Sequence, residues 1–565
     1  MKNKELNRLP VSASKFISKF ILIIRYIILG FNFIALAGGI AYLIHPTAYL
    51  LWNLYGYIIL LALLGNIALV CLTKKFRRLN YCYIILHIIS MFLIPVVNTI
   101  VSSDVNNKTS QSIFVLVLYN ILFIFGLTFS FLQIKNKIKN DKPDSKKETQ
   151  PGRIKNILRR IAVVLSGFIL LFGIYLSYIL LGKSTGNMIE VFIPEYSVFW
   201  GLFILGASVL IVKLLHINKR PVFNGIVLSL GIIINIICFI PLMSIPYLIK
   251  NADKAYGEAF GDFYLQNKTA EKQNGFMRSR FSLQNYLLGT RTSGYIIKEN
   301  ILYYEGTEGR DAGIKLHFDA YIPQESGGNF KRKNSVLIRI HGGAWTMGDK
   351  GYSNYSGTNK HFVNLGYTVF DIQYGINNQN PSFANDAVPA SVKGNFDIDD
   401  MVRHIGIFTK FLSDHSDEYS ADINSVFISG ASAGGQLAAA AALGITGGKY
   451  TNILDPRLRI RGLIPFYPAN SLSPNVGIGG APDLVDPAAL VDKESPPCLI
   501  YHGTHDGIVN PKYASILLQT YNEKSIAPCA LIWMNFASHG SDFYTPGYYN
   551  QIFLYYMERF MHQYK

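Results

Sequence analysis

A short string in the C-terminal part of the chain contains the residue types needed for nucleophilic catalysis by serine. It is Gly-Ala-Ser-Ala-Gly at 430–434, in which Ser432 lies between an apolar run at 426–429 and an alanine-rich run at 436–440. A strand followed at once by a helix requires a sharp turn, and flanking glycines let the backbone pass close by without a Cβ. The spacing therefore predicts that Ser432 is a nucleophile presented on such a turn.

A second string, His-Gly-Gly-Ala-Trp at 341–345, predicts a site for the charge that develops during attack. Attack on an ester carbonyl creates an oxyanion, which backbone N–H groups stabilise where no side chain obstructs them. The residue after the nucleophile contributes a further amide in sites of this kind. We therefore expect the amides of Gly342, Gly343 and Ala433 to form an oxyanion hole, with His341 orienting the loop.

A serine nucleophile also needs a base, and the base needs a carboxylate that holds its tautomer. In a parallel sheet these groups meet on loops at the carboxyl ends of strands, in the chain order serine, acid, histidine. Asp506 follows an apolar run at 499–501, and His539 follows another at 530–534. Both residues fit the order and the position, so we expect Ser432, Asp506 and His539 to form a catalytic triad.

Three other carboxylates leave an alternative open for the acid. Asp506 precedes a glycine and so also fits a simple turn, in which case Asp483, Asp486 or Asp492 would supply the acid. These three lie in a Pro/Gly-rich insertion at 471–495. An insertion of this length predicts either a cap over the site or a surface loop.

Short apolar runs predict the sheet that positions these residues. Alternating stretches at 295–304 and 314–321 predict antiparallel strands. The runs that follow alternate with helical stretches, which indicates parallel strands buried on both faces: 336–340, 368–372, 426–429, 463–466, 499–501 and 530–534. The predicted fold class is α/β, with a mostly parallel sheet and helices on both faces.

Three segments of this region resemble one enzyme family. Residues 341–350, 396–404 and 430–437 are similar to the carboxylesterase branch of the α/β-hydrolases, which includes hormone-sensitive-lipase-like enzymes, feruloyl and acetyl esterases and kynurenine formamidase. The resemblance covers residues 290–565 and implies the α/β-hydrolase fold, the same triad and the same oxyanion donors. It does not indicate a substrate, because members act on acetylated sugars, aryl esters, lipids and amides. We expect no cofactor, and no Cys or His spacing predicts a metal site.

The first 250 residues have a different composition. They contain 26 Lys and Arg against 7 Asp and Glu, whereas the remainder contains 27 against 29, so the net charge of +17 comes from the first part. Seven apolar runs in these residues approach or exceed the roughly 20 residues that span a bilayer: 26–44, 50–72, 81–101, 112–132, 161–181, 198–215 and 222–249. The third run contains His87, which we expect to hydrogen-bond a neighbouring helix.

The distribution of basic residues predicts how these runs are oriented. Lys and Arg are concentrated before the first run, after the second, after the fourth and after the sixth, while the alternate loops are nearly free of them. Because basic loops stay in the cytoplasm, the N-terminus is expected inside and the C-terminal domain outside the cell membrane. A nucleic-acid partner would need basic residues on the globular part, so we expect none.

We thus expect a multi-pass transmembrane domain at 1–250, a helical connector at 251–290 and an α/β-hydrolase domain at 291–565. We expect the transmembrane domain to serve mainly as an anchor. The second hypothesis is that it relays an acyl group or admits a lipid substrate to the hydrolase. The favoured function is a membrane-tethered serine carboxylesterase that acts outside the cytoplasm on short-chain, above all acetyl, esters. The expected partners are the lipid bilayer and a small ester or an acylated glycan or lipid.

Two other function classes compete with this one. In a membrane acyltransferase, a hydroxyl group of an envelope glycan or lipid replaces water, and both reactions share one acyl-enzyme. The sequence does not separate hydrolysis from transfer. A catalytically silent binding module is disfavoured, because the triad and both glycines are intact.

Overall fold

The structure of the chain is a computed structural model that describes residues 11–44, 49–73, 76–107, 109–138, 153–182, 186–215, 221–267, 275–291, 294–324, 333–351, 356–378 and 388–565. The mainly helical N-terminal part and the sheet-containing C-terminal part are both represented.

Long apolar helices form a bundle in the N-terminal part. They are α1 (Val11–Ile44), α2 (Tyr49–Leu72), α3 (Arg77–Ser103), α4 (Ile113–Ile138), α5 (Arg153–Leu181), α6 (Ser197–Leu214) and α7 (Pro221–Met243), and α8 (Ile245–Phe260) follows α7 directly. Among the described residues, seven helical stretches are long and apolar enough to cross a membrane, with α7 and α8 counted as one stretch. The predicted helical bundle is confirmed.

Buried polar side chains connect the helices of the bundle. The side-chain amides of Asn32 in α1 and Asn66 in α2 exchange two hydrogen bonds of 2.7 and 2.8 Å. His87 Nε2 in α3 lies 3.2 Å from the carbonyl oxygen of Leu202 in α6. Hydrogen bonds between helices replace the water that is missing from an apolar environment. The contact of His87 is the interhelical one that its position predicted.

An eight-stranded sheet forms the core of the C-terminal part. The strands within the described ranges are β1 (Thr109–Gln111), β2 (Gly289–Arg291), β3 (Tyr295–Glu305), β4 (Lys315–Pro323), β5 (Asn334–Ile340), β6 (Thr368–Ile372), β7 (Ile376–Asn377), β8 (Lys393–Gly394), β9 (Ala421–Ala431), β10 (Ile460–Phe466), β11 (Cys498–Gly503) and β12 (Cys529–Met534). The sheet has the order β12-β11-β10-β9-β5-β6-β4-β3. Within this sheet the β3–β4 and β4–β6 pairs are antiparallel, and the remaining pairs are parallel, as predicted.

Helices cover both faces of this sheet. The helices after α8 are α9 (Phe263–Gln266), α10 (Leu283–Leu288), α11 (Ser356–Asn364), α12 (Ile398–His415), α13 (Ala433–Thr446), α14 (Pro482–Val485), α15 (Lys512–Lys524) and α16 (Tyr548–Tyr564). Because side chains alternate along a strand, Ile338 of β5 joins an apolar cluster with α12 and α13, and Leu337 joins one with α16. The cluster that contains Leu337 continues into the helices of the bundle.

The last long apolar run is interrupted at Ser244, between α7 and α8. Pro246 lies in the first turn of α8, where the missing N–H of proline is tolerated. Beyond this point α8 packs against the C-terminal part: the Tyr556 hydroxyl donates to Asp253 (2.8 Å), and the rings of Tyr256 and Tyr556 are 5.6 Å apart between centroids. The helix that leaves the bundle is therefore held by α16.

Candidate active site

Ser432 lies on the sharp turn between β9 and α13. Its backbone has φ 56° and ψ −121°, a region that is costly for a residue with a side chain. Glycines make the turn feasible, since a Cβ on Gly430 would lie 2.2 Å from the carbonyl oxygen of Gly434, and one on Gly434 would lie 2.2 Å from that of Ile340. The strand, turn and helix that the motif requires are thus all present around Ser432.

Three side chains form a hydrogen-bonded chain that ends at this serine. His539 Nε2 lies 3.0 Å from Ser432 Oγ, and His539 Nδ1 lies 2.8 Å from Asp506 Oδ2. When Nδ1 donates its proton to the carboxylate, Nε2 is free to accept the serine proton. The structure therefore brings together the three residues that the sequence predicted, from loops after β9, β11 and β12.

The carboxylate of Asp506 is held in place from several sides. Its Oδ1 accepts backbone hydrogen bonds from Ile508 (3.0 Å) and Val509 (2.8 Å). The His502 ring lies 3.4 Å from Oδ2 and donates through Nε2 to the Val509 carbonyl. Burial by itself would raise the pKa of Asp506, but the charges and hydrogen bonds of His539 and His502 outweigh burial and hold this pKa below its ordinary value. The carboxylate is thus ionised and oriented.

The alternative acids lie elsewhere. Asp483 pairs with Lys449, while Asp486 and Asp492 accept hydrogen bonds from backbone amides of their own turns. Among the carboxylates of the described ranges, Asp506 is the one hydrogen-bonded to His539. The structure therefore favours Asp506 as the partner of the histidine.

The glycine loop after β5 lies directly against the serine turn. A Cβ on Gly342 would be 3.4 Å from the Cβ of Ser432, and Gly343 has φ 118° with the Met347 carbonyl oxygen 2.1 Å from its own hypothetical Cβ. The Gly343 carbonyl accepts a hydrogen bond of 2.9 Å from the Met347 amide, which closes the loop. Ala433 begins α13, where the first amides of a helix have no partner within the helix. The three predicted donors thus lie around one serine.

Neighbouring side chains fix this loop and connect it to the insertion at 471–495. The His341 ring stacks on Tyr374 with centroids 4.3 Å apart, so His341 is structural, as expected. Trp345 Nε1 donates to Gln436 Oε1 (2.9 Å), and Gln436 Nε2 donates to the Leu484 carbonyl (2.5 Å). The insertion therefore packs onto the start of α13 and supports the glycine loop through Gln436.

Two residues beside the histidine were not predicted from the sequence. The Tyr467 ring meets the His539 ring edge to face, with 4.5 Å between centroids, and the Tyr467 hydroxyl donates to Asp542 Oδ1 at 2.6 Å. Burial raises the pKa of the Asp542 carboxyl. Tyr467 directly follows β10, so its place at the carboxyl end of a parallel strand was the signal that could have identified it.

A segment of the N-terminal part also reaches this site. We call residues 186–197, which connect α5 to α6, the α5–α6 segment. Its Glu190 carbonyl accepts a 2.6 Å hydrogen bond from the hydroxyl of Ser538, which precedes His539. No motif marks the segment in the sequence, although two of the few acidic residues of the N-terminal part, Glu190 and Glu195, lie in it.

Comparisons with known proteins gave one family match and a set of similar solved structures. The BD-FAE family, an esterase-like group of α/β-hydrolases, matches residues 318–469, which include the glycine loop and Ser432. Among solved structures, esterase 2 of Thermogutta terrifontis phosphorylated by paraoxon is 20% identical, with 44% of this chain and 86% of that chain covered and a TM-score of 0.34. A truncated form of a carbohydrate esterase from gut microbiota is 17% identical, with 48% and 97% covered and a TM-score of 0.35. The comparison with curated proteins gave no match.

The strand order, the serine turn and the family match together identify the fold of the C-terminal part as that of the α/β-hydrolases. It follows a bundle with seven apolar helical stretches.

Proposed function

We propose that the protein is a membrane-tethered serine carboxylesterase that hydrolyses short-chain esters, above all acetyl esters, outside the cytoplasm. The observation that carries this proposal is the hydrogen-bonded chain from Asp506 through His539 to Ser432, next to a loop of side-chain-free amides. In this proposal residues 1–250 form the transmembrane domain, 251–290 the connector and 291–565 the hydrolase domain.

The geometry supports a two-step reaction through an acyl-enzyme. Ser432 Oγ attacks the ester carbonyl while His539 Nε2 takes the serine proton, and the amides of the glycine loop and of Ala433 stabilise the oxyanion. His539 returns the proton to the alcohol, which leaves with the acyl group still on Ser432. Water then gives a proton to His539 and attacks the acyl group. The acid departs as Ser432 regains its proton, and Asp506 stays ionised throughout.

The test uses the full-length protein in detergent with p-nitrophenyl acetate as substrate. Ser432→Ala is expected to lower kcat by about three orders of magnitude or more and to abolish labelling by a fluorophosphonate. Ser515→Ala, which removes an exposed hydroxyl on α15, is the matched control and is expected to behave as wild type. Undiminished turnover by Ser432→Ala would exclude the serine mechanism.

The loops that contact the hydrolase domain support its placement outside the cytoplasm. Ser356 Oγ donates to the Ser103 carbonyl at the end of α3 (2.7 Å), and Ser538 donates to Glu190 between α5 and α6. These loops carry few basic residues, and the lysine-rich and arginine-rich loops join the opposite ends of the helices. Since basic loops remain in the cytoplasm, the hydrolase domain belongs on the other side of the membrane.

Reporter fusions test this orientation. Alkaline phosphatase fused after residue 250 is expected to be active, and green fluorescent protein at the same point is expected to be dark. Fusions after residue 145, in the basic loop between α4 and α5, are expected to show the reverse. Fluorescence at residue 250 together with inactive phosphatase there would place the hydrolase domain in the cytoplasm.

A cavity in the bundle supports the second candidate, a membrane acyltransferase, or a lipid-bearing substrate. The cavity has a volume of about 380 Å³ and is lined by apolar side chains of α3 and α6, among them Phe92, Val96 and Phe199. Phe192 of the α5–α6 segment lines it as well and contacts Phe543, four residues after the histidine. A hydrocarbon chain in this cavity would hold the polar end of a lipid close to the catalytic loops. Product analysis with and without an added alcohol separates transfer from hydrolysis.

A further inference from the structure

The α5–α6 segment holds the loop that carries the catalytic histidine. Ser538 is buried, and its hydroxyl donates to the Glu190 carbonyl at 2.6 Å, one residue away from His539. On the other side of the histidine, the rings of Phe192 and Phe543 meet edge to face, with centroids 6.4 Å apart. The segment therefore contacts this loop on both sides of His539.

The end of the same segment holds the residues that follow the histidine loop. The Tyr548 hydroxyl contacts the carbonyl oxygen of Pro194 and lies 3.0 Å from Ser197 Oγ. The rings of Tyr196 and Tyr544 pack with centroids 4.9 Å apart. Because Tyr548 is the first residue of α16, these contacts fix the point at which the loop enters that helix.

A second route to the histidine passes through buried carboxyl groups. Glu195 is fully buried, and neither of its carboxyl oxygens has a hydrogen-bond partner among the described residues. Burial, together with the nearby Asp542 carboxyl, raises the pKa of Glu195 well above its ordinary value. Asp542 accepts the hydrogen bond of Tyr467, whose ring packs against His539. The segment thus lies next to the pair of side chains that supports the imidazole ring.

The segment also approaches the loop of the catalytic acid. A Cβ on Gly186 would lie 3.0 Å from the carbonyl oxygen of Gly507, the residue after Asp506. A larger residue at Gly186, whose φ is 71°, would displace that loop. The two loops that carry the acid and the base therefore rest on one piece of the transmembrane domain.

We propose that the α5–α6 segment is a positioning part of the active site, so that the transmembrane domain is required for turnover in addition to anchoring the enzyme. This inference rests on the serine-esterase mechanism proposed above. Its physical basis is that a displacement of about 1 Å in a catalytic group lowers the rate by about two orders of magnitude, because the near-attack geometry is lost. The Ser538–Glu190 hydrogen bond fixes the histidine loop against such a displacement.

The test removes this hydrogen bond in the full-length protein. Ser538→Ala is expected to lower kcat for p-nitrophenyl acetate about 10- to 100-fold and to leave KM within about twofold, because it displaces the general base and leaves the serine turn and the glycine loop unchanged. Ser538→Thr keeps the hydroxyl and is expected to recover most of the rate. Ser541→Ala is the matched control: it removes a buried serine of the same loop whose partner is Tyr501 of the hydrolase domain.

A second variant comes from the transmembrane side and does not change the core. Phe192 is 52% exposed and borders the cavity of the bundle, so Phe192→Ala removes the contact with Phe543 and widens that existing cavity without creating a new one in the core. It is expected to lower kcat several-fold, with an unchanged midpoint of thermal unfolding.

The outcomes separate positioning from simple stability. Wild-type kcat in both Ser538→Ala and Phe192→Ala would overturn the proposal. Equal losses of kcat in Ser538→Ala and Ser541→Ala, accompanied by equal shifts in Tm, would also overturn it, because the effect would then be structural. Fluorophosphonate labelling of Ser432 in each variant reports whether the serine mechanism itself holds, so the two proposals fail independently.

Discussion

The buried polar groups of the two halves of the molecule are arranged in different ways. In the helical bundle, Asn32 and Asn66 form a closed pair, in which each amide hydrogen-bonds the other. In the C-terminal part, Asp506, His539 and Ser432 form an open chain that ends at the Ser432 hydroxyl. A closed pair stabilises packing, whereas the open chain transfers a proton in the mechanism proposed above. On that mechanism the chemistry belongs to one half and its support to the other.

The boundary between the halves does not follow this division of roles. A single cluster of buried apolar side chains extends from the helices of the bundle to one face of the sheet. Asn98 of α3 donates to the Leu287 carbonyl (3.2 Å) and to the Tyr544 hydroxyl (3.0 Å), so polar contacts cross the boundary as well. The two halves therefore form one packed unit, and variants at the boundary are informative about both.

The largest effect is expected from the open chain. Asp506→Asn is expected to lower kcat by about 10⁴-fold, because an amide at this position leaves the His539 ring in the wrong tautomer. The folded state is expected to persist. Turnover of p-nitrophenyl acetate and circular dichroism of the full-length protein measure the two quantities.

The matched controls are Asp483→Asn and Asp486→Asn in the insertion, which are expected to stay within a few-fold of wild type. A loss of activity in either control, combined with normal activity in Asp506→Asn, would show that the catalytic acid lies in the insertion and that Asp506 does not fill this role.

A smaller loss is expected at the glycine loop. Gly343→Ala introduces a Cβ that meets the Met347 carbonyl oxygen at 2.1 Å and disfavours the φ of 118°, so the loop must shift. Loss of one oxyanion donor typically costs about 10²- to 10³-fold in kcat. Gly366→Ala is the control, since Gly366 also has a positive φ but has no atom near a hypothetical Cβ. Similar kcat in the two variants would show that the loop does not bind the oxyanion.

The sequence predicted those features that depend on local spacing. The turn at Ser432 is determined by neighbouring glycines, and the alternation of apolar runs determines which strands are parallel. His539 was predicted because it follows the last strand, where a parallel sheet presents its loops. The long apolar helices were predicted because a bilayer requires a fixed length of apolar chain.

The features that were missed depend on contacts between distant parts of the chain. Glu190 and Ser538 are 348 residues apart, and neither lies in a motif. Tyr467 and Asp542 support the histidine only because β10 and the loop after β12 meet at one edge of the sheet. Such contacts follow from how the halves dock, and residue spacing along one sequence does not contain that information.

The cavity between α3 and α6 allows a test of whether the bundle binds part of the substrate that the C-terminal part is proposed to cleave. Val96→Trp fills part of the space between α3 and α6, and it is expected to lower kcat/KM about tenfold for an acetyl ester whose alcohol carries a long hydrocarbon chain. The rate with p-nitrophenyl acetate is expected to be unchanged, because this ester does not reach into the bundle. Val117→Trp, at an exposed position of α4, is the control. An equal effect of Val96→Trp on both esters would exclude a role of the cavity in binding substrate.

The smallest effect is expected where α11 meets the end of α3. Lys360 is buried, and its ammonium donates to the carbonyls of Ser102 (3.0 Å) and Asp104 (2.5 Å) at the end of α3. Burial lowers the pKa of Lys360 from 10.5 to about 8, so the unfolded chain holds this proton more tightly than the folded one. Between about pH 8 and pH 10.5 the unfolded state is therefore the more protonated, and the contribution of Lys360 to the free energy of unfolding rises with pH.

Accordingly, the Tm of wild type relative to Lys360→Met is expected to increase by a few degrees from pH 7.5 to pH 10. The exposed Lys410→Met serves as control, and a difference for Lys360→Met that does not change with pH would show that the ammonium remains hydrated at the boundary.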